Sequence, residues 1–130
     1  MNLARWPWFR KWFGNRSESA AVGFLKKLGY RILVRNHSTK VGELDAIARD
    51  RDTIVFVEVR STGSDDPSRA TESVNYAKQR QLTKLAQQFL AKHKLMDHSA
   101  RFDVLIVHWP GDRKQPDITH YKNAFDAVEW

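Results

Sequence analysis

Residues Thr53 to Val59 constrain this chain more than any other stretch. Ile54 and Phe56 point one way and Val55, Val57 and Val59 the other, all apolar, with Glu58 standing among them. A strand apolar on both faces belongs in the centre of a sheet, with covering layers on either side. An ionised carboxylate in such surroundings costs several kcal/mol unless something pairs with it. The fold therefore needs two layers over its sheet, and Glu58 needs a partner.

The flanking segments supply the rest of an α/β domain. Ala20, Ala21, Phe24, Leu25 and Leu28 recur at helical spacing, with Ser17 as the expected N-cap and Gly29 as the stop. Tyr30 to Arg35 reads as a strand, Asn36 to Lys40 as a turn, and Glu43 to Arg49 as an alternating strand. Residues 61 to 70 read as a loop. A long helix is expected from about Thr71 to Lys92, its buried stripe made by Leu82, Leu85, Ala86, Phe89 and Leu90. Phe102 to Val107 is a further inner strand, Trp109 to Pro116 a turn, and Ile118 to Tyr121 a short edge strand. At 130 residues the chain has room for one such core.

The two strands around Asp50 to Asp52 set the chemistry. A two-residue hairpin loop at Arg51 and Asp52 pairs 50 with 53, and by continuation 45 with 58 and 43 with 60. Asp45 then faces Glu58 at a Cβ separation of about 5 Å, where like charges repel. A divalent cation resolves both the repulsion and the burial, because Mg2+ binds through one or two carboxylates together with phosphate oxygens and water. The alternative is a structural ion pair of Glu58 with Arg60 or a lysine, leaving Asp45 solvated. Two carboxylates on one face beside a basic residue favour the cation.

Composition narrows the field. Zero cysteines exclude disulfides, cysteine-ligated zinc and a thiol nucleophile, in keeping with a cytoplasmic protein. The best apolar run, Ile54 to Val57, is stopped by Glu58, so no stable membrane insertion is expected. A net charge of +7 favours a polyanionic partner, nucleic acid or anionic lipid. No Gly-rich phosphate loop, Gly-x-Ser-x-Gly elbow or helical histidine pair is present, and Arg101 with Asp103 reads as an internal ion pair. The histidines His93, His98, His108 and His120 read as structural.

Gly42-Glu43-Leu44-Asp45-Ala46-Ile47-Ala48, then Val55-Phe56-Val57-Glu58-Val59-Arg60, then Arg101-Phe102-Asp103-Val104 resemble the YraN-type endonuclease family of the PD-(D/E)XK, restriction-endonuclease-like superfamily. Ser17-Glu18, Gly29 to Leu33 with Arg35-Asn36, Glu72-Ser73-Val74 with Lys78, and Ala124-Phe125 extend the resemblance from Arg16 to Phe125. It implies a restriction-endonuclease-like α/β fold, a mixed central sheet flanked by helices, in a domain of residues 15–130. It also implies an acidic cluster of Glu18, Asp45 and Glu58 holding Mg2+ or Mn2+, and an endonuclease hydrolysing phosphodiester bonds in nucleic acid, DNA first. The family pattern has lysine where this chain has Arg60. Arginine stays protonated and cannot serve as a general base, although it can stabilise charge on a phosphoryl group. Lys78 is a second candidate cation, more readily a surface lysine or phosphate contact than a catalyst, and Lys40, Arg80 and Lys84 complete the expected nucleic-acid-binding set. The runner-up is a binding module of nuclease ancestry that no longer cuts.

Residues 1–14 form an aromatic and basic extension, with Trp6, Trp8, Phe9, Trp12 and Phe13 interrupted by Arg10 and Lys11. Three roles fit it: stacking on bases, contact with a membrane surface, or docking on its own domain or on a second copy as a homodimer. Docking is the expectation.

Overall fold

The computed structural model describes the backbone of residues 7–63, 70–111 and 115–128, and side chains from Arg16 onward within those segments. The elements are α1 (Pro7–Lys27), β1 (Arg31–Ser38), β2 (Glu43–Asp50), β3 (Thr53–Thr62), α2 (Tyr76–Lys92), β4 (Ala100–His108) and β5 (Asp117–Phe125). The strands form one mixed five-stranded sheet in the order β1-β2-β3-β4-β5. Neighbours are antiparallel except β3 and β4, which run parallel because α2 carries the chain back between them. This is an α/β fold consistent with the restriction-endonuclease-like architecture.

β3 is central, as its two apolar faces require. Val55 and Val57 pack with Ala21 and Leu25 of α1, while Ile54 and Phe56 pack with Leu82, Leu85 and Phe89 of α2. One helix thus covers each face, and the full burial of Leu25, Leu85, Val55 and Val57 is worth about 1.5–3 kcal/mol each. Among the described residues no helix is long and apolar enough to cross a membrane.

Several boundaries differ from the sequence expectation; β5, expected over Ile118 to Tyr121, runs from Asp117 to Phe125. α1 begins at Pro7, crossing the expected junction at residue 14, so Ser17 lies inside the helix rather than at its N-cap. The Ser17 hydroxyl is buried and is engaged by Trp109 Nε1 at 2.9 Å and by the Ser61 hydroxyl, tertiary partners that sequence spacing does not reveal. The side chains of the aromatic extension lie outside the described residues. α2 begins at Tyr76 rather than Thr71, because Asn75 caps it, accepting from the Lys78 N–H at 3.0 Å. β1 continues to Ser38 across Asn36, which takes a left-handed φ of 53° within the strand. Gly29 ends α1 as expected: with φ at 92°, it donates to Lys26 and Tyr30 donates to Leu25, the paired bonds of a Schellman turn.

A second charged group sits in the sheet on the α1 side. Asp103 is fully buried and accepts from Arg101 Nε at 3.0 Å, the Asn123 N–H at 2.9 Å and His120 Nε2 at 2.8 Å. The Asn123 bond sits where β5 bulges away from β4, so the carboxylate replaces a missing ladder partner. Arg101 in turn reaches Asp50 at 3.1 Å and the Tyr30 hydroxyl at 2.7 Å, which makes the expected Arg101–Asp103 pair the centre of a satisfied network. Burial pushes the Asp103 pKa up, but hydrogen bonds from His120, Arg101 and Asn123 outweigh it and hold the carboxyl below its ordinary value of 3.8. The stabilisation it contributes is therefore complete above that value and is lost as pH falls through the depressed folded pKa. Replacing Asp103 by Ala should cost about 3–5 kcal/mol in urea unfolding at neutral pH, because Arg101 loses its fully buried partner and the Asn123 N–H loses its acceptor. The deficit should shrink in strong acid.

Candidate functional site

The hairpin between β2 and β3 has the expected register, Asp50 opposite Thr53 and Ala46 opposite Val57. There the backbone pairing stops. The expected 45–58 and 43–60 ladder pairs do not form, because the Asp45 side chain takes their place: its Oδ2 accepts the Val59 N–H at 2.8 Å. Beyond Ala46, β2 remains paired with β1, through Leu44 with His37 and Glu43 with Ser38, while β3 remains paired with β4. A gap therefore opens inside the sheet, with Asp45 on one lip and Glu58 on the other.

Groups from both faces converge on this gap. Glu18 comes from α1, and its ligand atom lies with those of Glu43 and Asp45 in a set all within 4.8 Å of one another. Lys78 comes from α2 and places Nζ 3.3 Å from Glu58 Oε2, while Arg60 Nη2 approaches the same oxygen at 3.4 Å. The Asp45 and Glu58 side chains lie close enough to interact, so the two expected acids do meet. Glu58 is buried and turned toward its two cations, whereas Asp45 belongs both to the Glu58 pair and to the trio with Glu18 and Glu43.

The acids of the sequence reading thus occur together, in a different grouping. Glu43, which lies two residues before Asp45 and so shares its side of the strand, replaces Glu58 as the third member of the tightest set. That spacing was the available signal for it. Asn36 was also missed. Oriented to satisfy both ends of its amide, its nitrogen donates to the two Glu18 oxygens at 3.2 and 2.7 Å, holding the helix carboxylate toward the gap. Its left-handed backbone offers a partial signal, since asparagine tolerates that conformation better than most residues.

Lys78, expected as a surface lysine or a phosphate contact, is 20% exposed and joined to Glu58. Arg60 Nε is buried with no hydrogen-bond partner among the described residues. Arg80 and Lys84 line a groove between α2 and the β1–β2 turn, and Lys40 is exposed in that turn.

Electrostatics distinguish Asp45 from Asp103. Burial pushes the Asp45 pKa well above its ordinary value of 3.8; the neighbouring Glu58 carboxylate raises it further, Glu18 adds to this, and the Val59 N–H only partly opposes it. The donor set suits a hard divalent cation: carboxylate oxygens, several within reach of one ion, and an acid strained by too little nearby positive charge.

Residues 17–107 match the model of the "Uncharacterised protein family UPF0102". A UPF0102 protein of Geotalea daltonii is 45% identical over 118 residues, covering 91% of this chain and 92% of its own length. One from Geobacter metallireducens is 42% identical over 118 residues, at 91% and 95% coverage. One from Caldicellulosiruptor saccharolyticus is 43% identical over 112 residues, at 86% and 95%.

Because the folded pKa of Asp45 is raised, its effect on stability is neutral in acid and turns unfavourable as pH climbs from 3.8 through the folded value. In EDTA at neutral pH, Asp45→Asn should therefore melt several degrees above the wild type, about what 1 kcal/mol is worth in a chain of this size. Mn2+ should raise the wild-type midpoint and leave that of Asp45→Asn nearly unchanged. Identical responses of the two proteins would exclude Asp45 from a cation site.

Proposed function

Because the chain belongs to the UPF0102 family, we propose that the resemblance of its motifs to YraN-type, restriction-endonuclease-like enzymes extends to activity. The protein is then a divalent-cation-dependent nuclease hydrolysing phosphodiester bonds, with DNA the first substrate to test. One observation carries this reading: four carboxylates and two cations, drawn from both faces of the sheet, meet where β2 and β3 part. A gap of this kind gives a phosphate access to groups that a continuous ladder would bury.

Glu18, Glu43 and Asp45 would hold Mg2+ or Mn2+, with Glu58 at the edge of the set. Bound there, the cation would withdraw negative charge from the phosphoryl group as the transition state forms. Hydrolysis joins the oxygen of a water to phosphorus, breaks the bond to the departing oxygen and delivers a proton to it. Lys78 Nζ, held by Glu58, can orient the attacking water, a task suited to a compact ammonium with three rotatable N–H donors. Lys78 thereby takes the part that the family pattern gives to a lysine at position 60. Arg60 keeps its charge and offers the buried Nε donor to a phosphoryl oxygen. Lys40, Arg80 and Lys84 would attract and position the phosphate backbone.

Arg60 also favours a second reading, a nucleic-acid-binding module that does not cut. Both are tested with branched, flapped and linear DNA and with RNA, in Mg2+ or Mn2+ against EDTA. The nuclease reading expects metal-dependent cutting that Asp45→Ala abolishes and Lys78→Ala lowers by roughly a hundredfold or more. Binding without cutting by the wild type, together with cutting by Arg60→Lys, would establish the binding module instead. If no substrate is cut by either protein, the enzymatic reading fails.

A further inference from the structure

An open groove of about 390 Å³ runs between the outer flank of α2 and the β1–β2 turn, lined by Val41, Tyr76, Ala77, Arg80, Gln81 and Lys84. One wall is pinned to the other: Gln81 Nε2 donates to the Val41 carbonyl at 2.8 Å. Gly42 makes this approach possible, since a Cβ on it would collide with the Gln81 amide. The β1–β2 turn leads within two residues into Glu43, and the first turn of α2 carries Lys78 to Glu58. Both walls are thus continuous in chain with the acidic gap.

Tyr76 stands out on this surface. It occupies the first position of α2, where any polar residue would serve, yet this large aromatic residue is 64% exposed. Arg80 follows one helical turn later and Lys84 one turn after that, a spacing of about 6 Å per step along one edge of the helix. None of the six lining residues is acidic, and the chain as a whole carries +7.

We propose that this groove binds an unpaired strand of nucleic acid, with Tyr76 stacked on a base and Arg80 and Lys84 against successive phosphates. Resting on the nucleic-acid reading above, the site adds the strand state which that reading leaves open. In a duplex each base is covered on both faces by its neighbours, so an exposed phenol ring has little to gain. An unpaired strand presents those faces, and one stacked aromatic is worth roughly five- to a hundredfold in affinity, with little regard to base identity. Cations spaced along the same edge suit a flexible backbone, which can follow them. The groove would hold the unpaired arm of a flap, overhang or open junction while the acidic gap meets the adjoining phosphate.

Fluorescence anisotropy in EDTA tests this without cutting, using a labelled oligothymidylate and a duplex of equal length. The wild type should prefer the single strand. Tyr76→Ala should weaken single-strand binding about tenfold or more while changing duplex binding by less than about twofold, and Tyr76→Phe should retain the wild-type affinity. Arg80→Ala should weaken binding and flatten the salt dependence of log K by about one unit or less. Circular dichroism should show Tyr76→Ala folded like the wild type, as an exposed ring predicts. Unchanged single-strand affinity in Tyr76→Ala, equal losses on both forms, or no binding to either form would overturn the proposal. Equal losses with metal-dependent cutting intact would overturn the groove alone, whereas the expected pattern without any cutting would overturn only the nuclease reading.

Discussion

The hydrogen bond from the Val59 N–H to the Asp45 carboxylate is the contact around which this molecule is arranged. A central strand cannot leave a buried N–H without an acceptor, so β3 can lose its β2 neighbour only where a side chain replaces the missing carbonyl. Asp45 makes that replacement, and the sheet parts beside it without an orphaned donor at Val59. The same substitution fixes the carboxylate in a desolvated position next to Glu58. The opening and its charge are two consequences of one bond.

From there the rest of the centre follows by convergence. A continuous sheet would separate what α1 and α2 carry; an opened one lets Glu18 approach from one face and Lys78 from the other. Arg60, two residues along the strand from Glu58, shares its face and reaches the same oxygen. Positive charge is thus gathered on the Glu58 side, and negative charge on the side of Glu18, Glu43 and Asp45. On the proposed reading, a phosphate diester approached by a cation would find a partner on each lip.

The Asp103 network shows what the same sheet does with a carboxylate that is finished. Arginine, histidine and a backbone amide meet it, its pKa falls, and it closes a bulge between β4 and β5. Asp45 receives one backbone amide and otherwise faces other acids, and its pKa rises. Burial is common to the two; the sign of the neighbouring charge differs. That contrast separates a structural acid from one suited to receive an ion.

Much of this was legible in the linear chain. The two apolar faces of residues 53–59 determined a central strand with a layer on each side, and hairpin parity brought Asp45 and Glu58 to the same place, because side-chain direction in a strand depends only on residue spacing. Residue count could not say where the ladder stops. The grouping of Glu43 with Glu18 and Asp45, the hold of Asn36 on Glu18, and the turn of Lys78 inward all depend on how helices and strands distant in sequence are docked. Ser17 makes the point most plainly: its position suited a helix cap, but Trp109 and Ser61, far along the chain, claim its hydroxyl inside the fold. Local periodicity determined which residues face the same way; only the tertiary structure decided which of them meet, since contact between separate elements is set by the packing of the whole core.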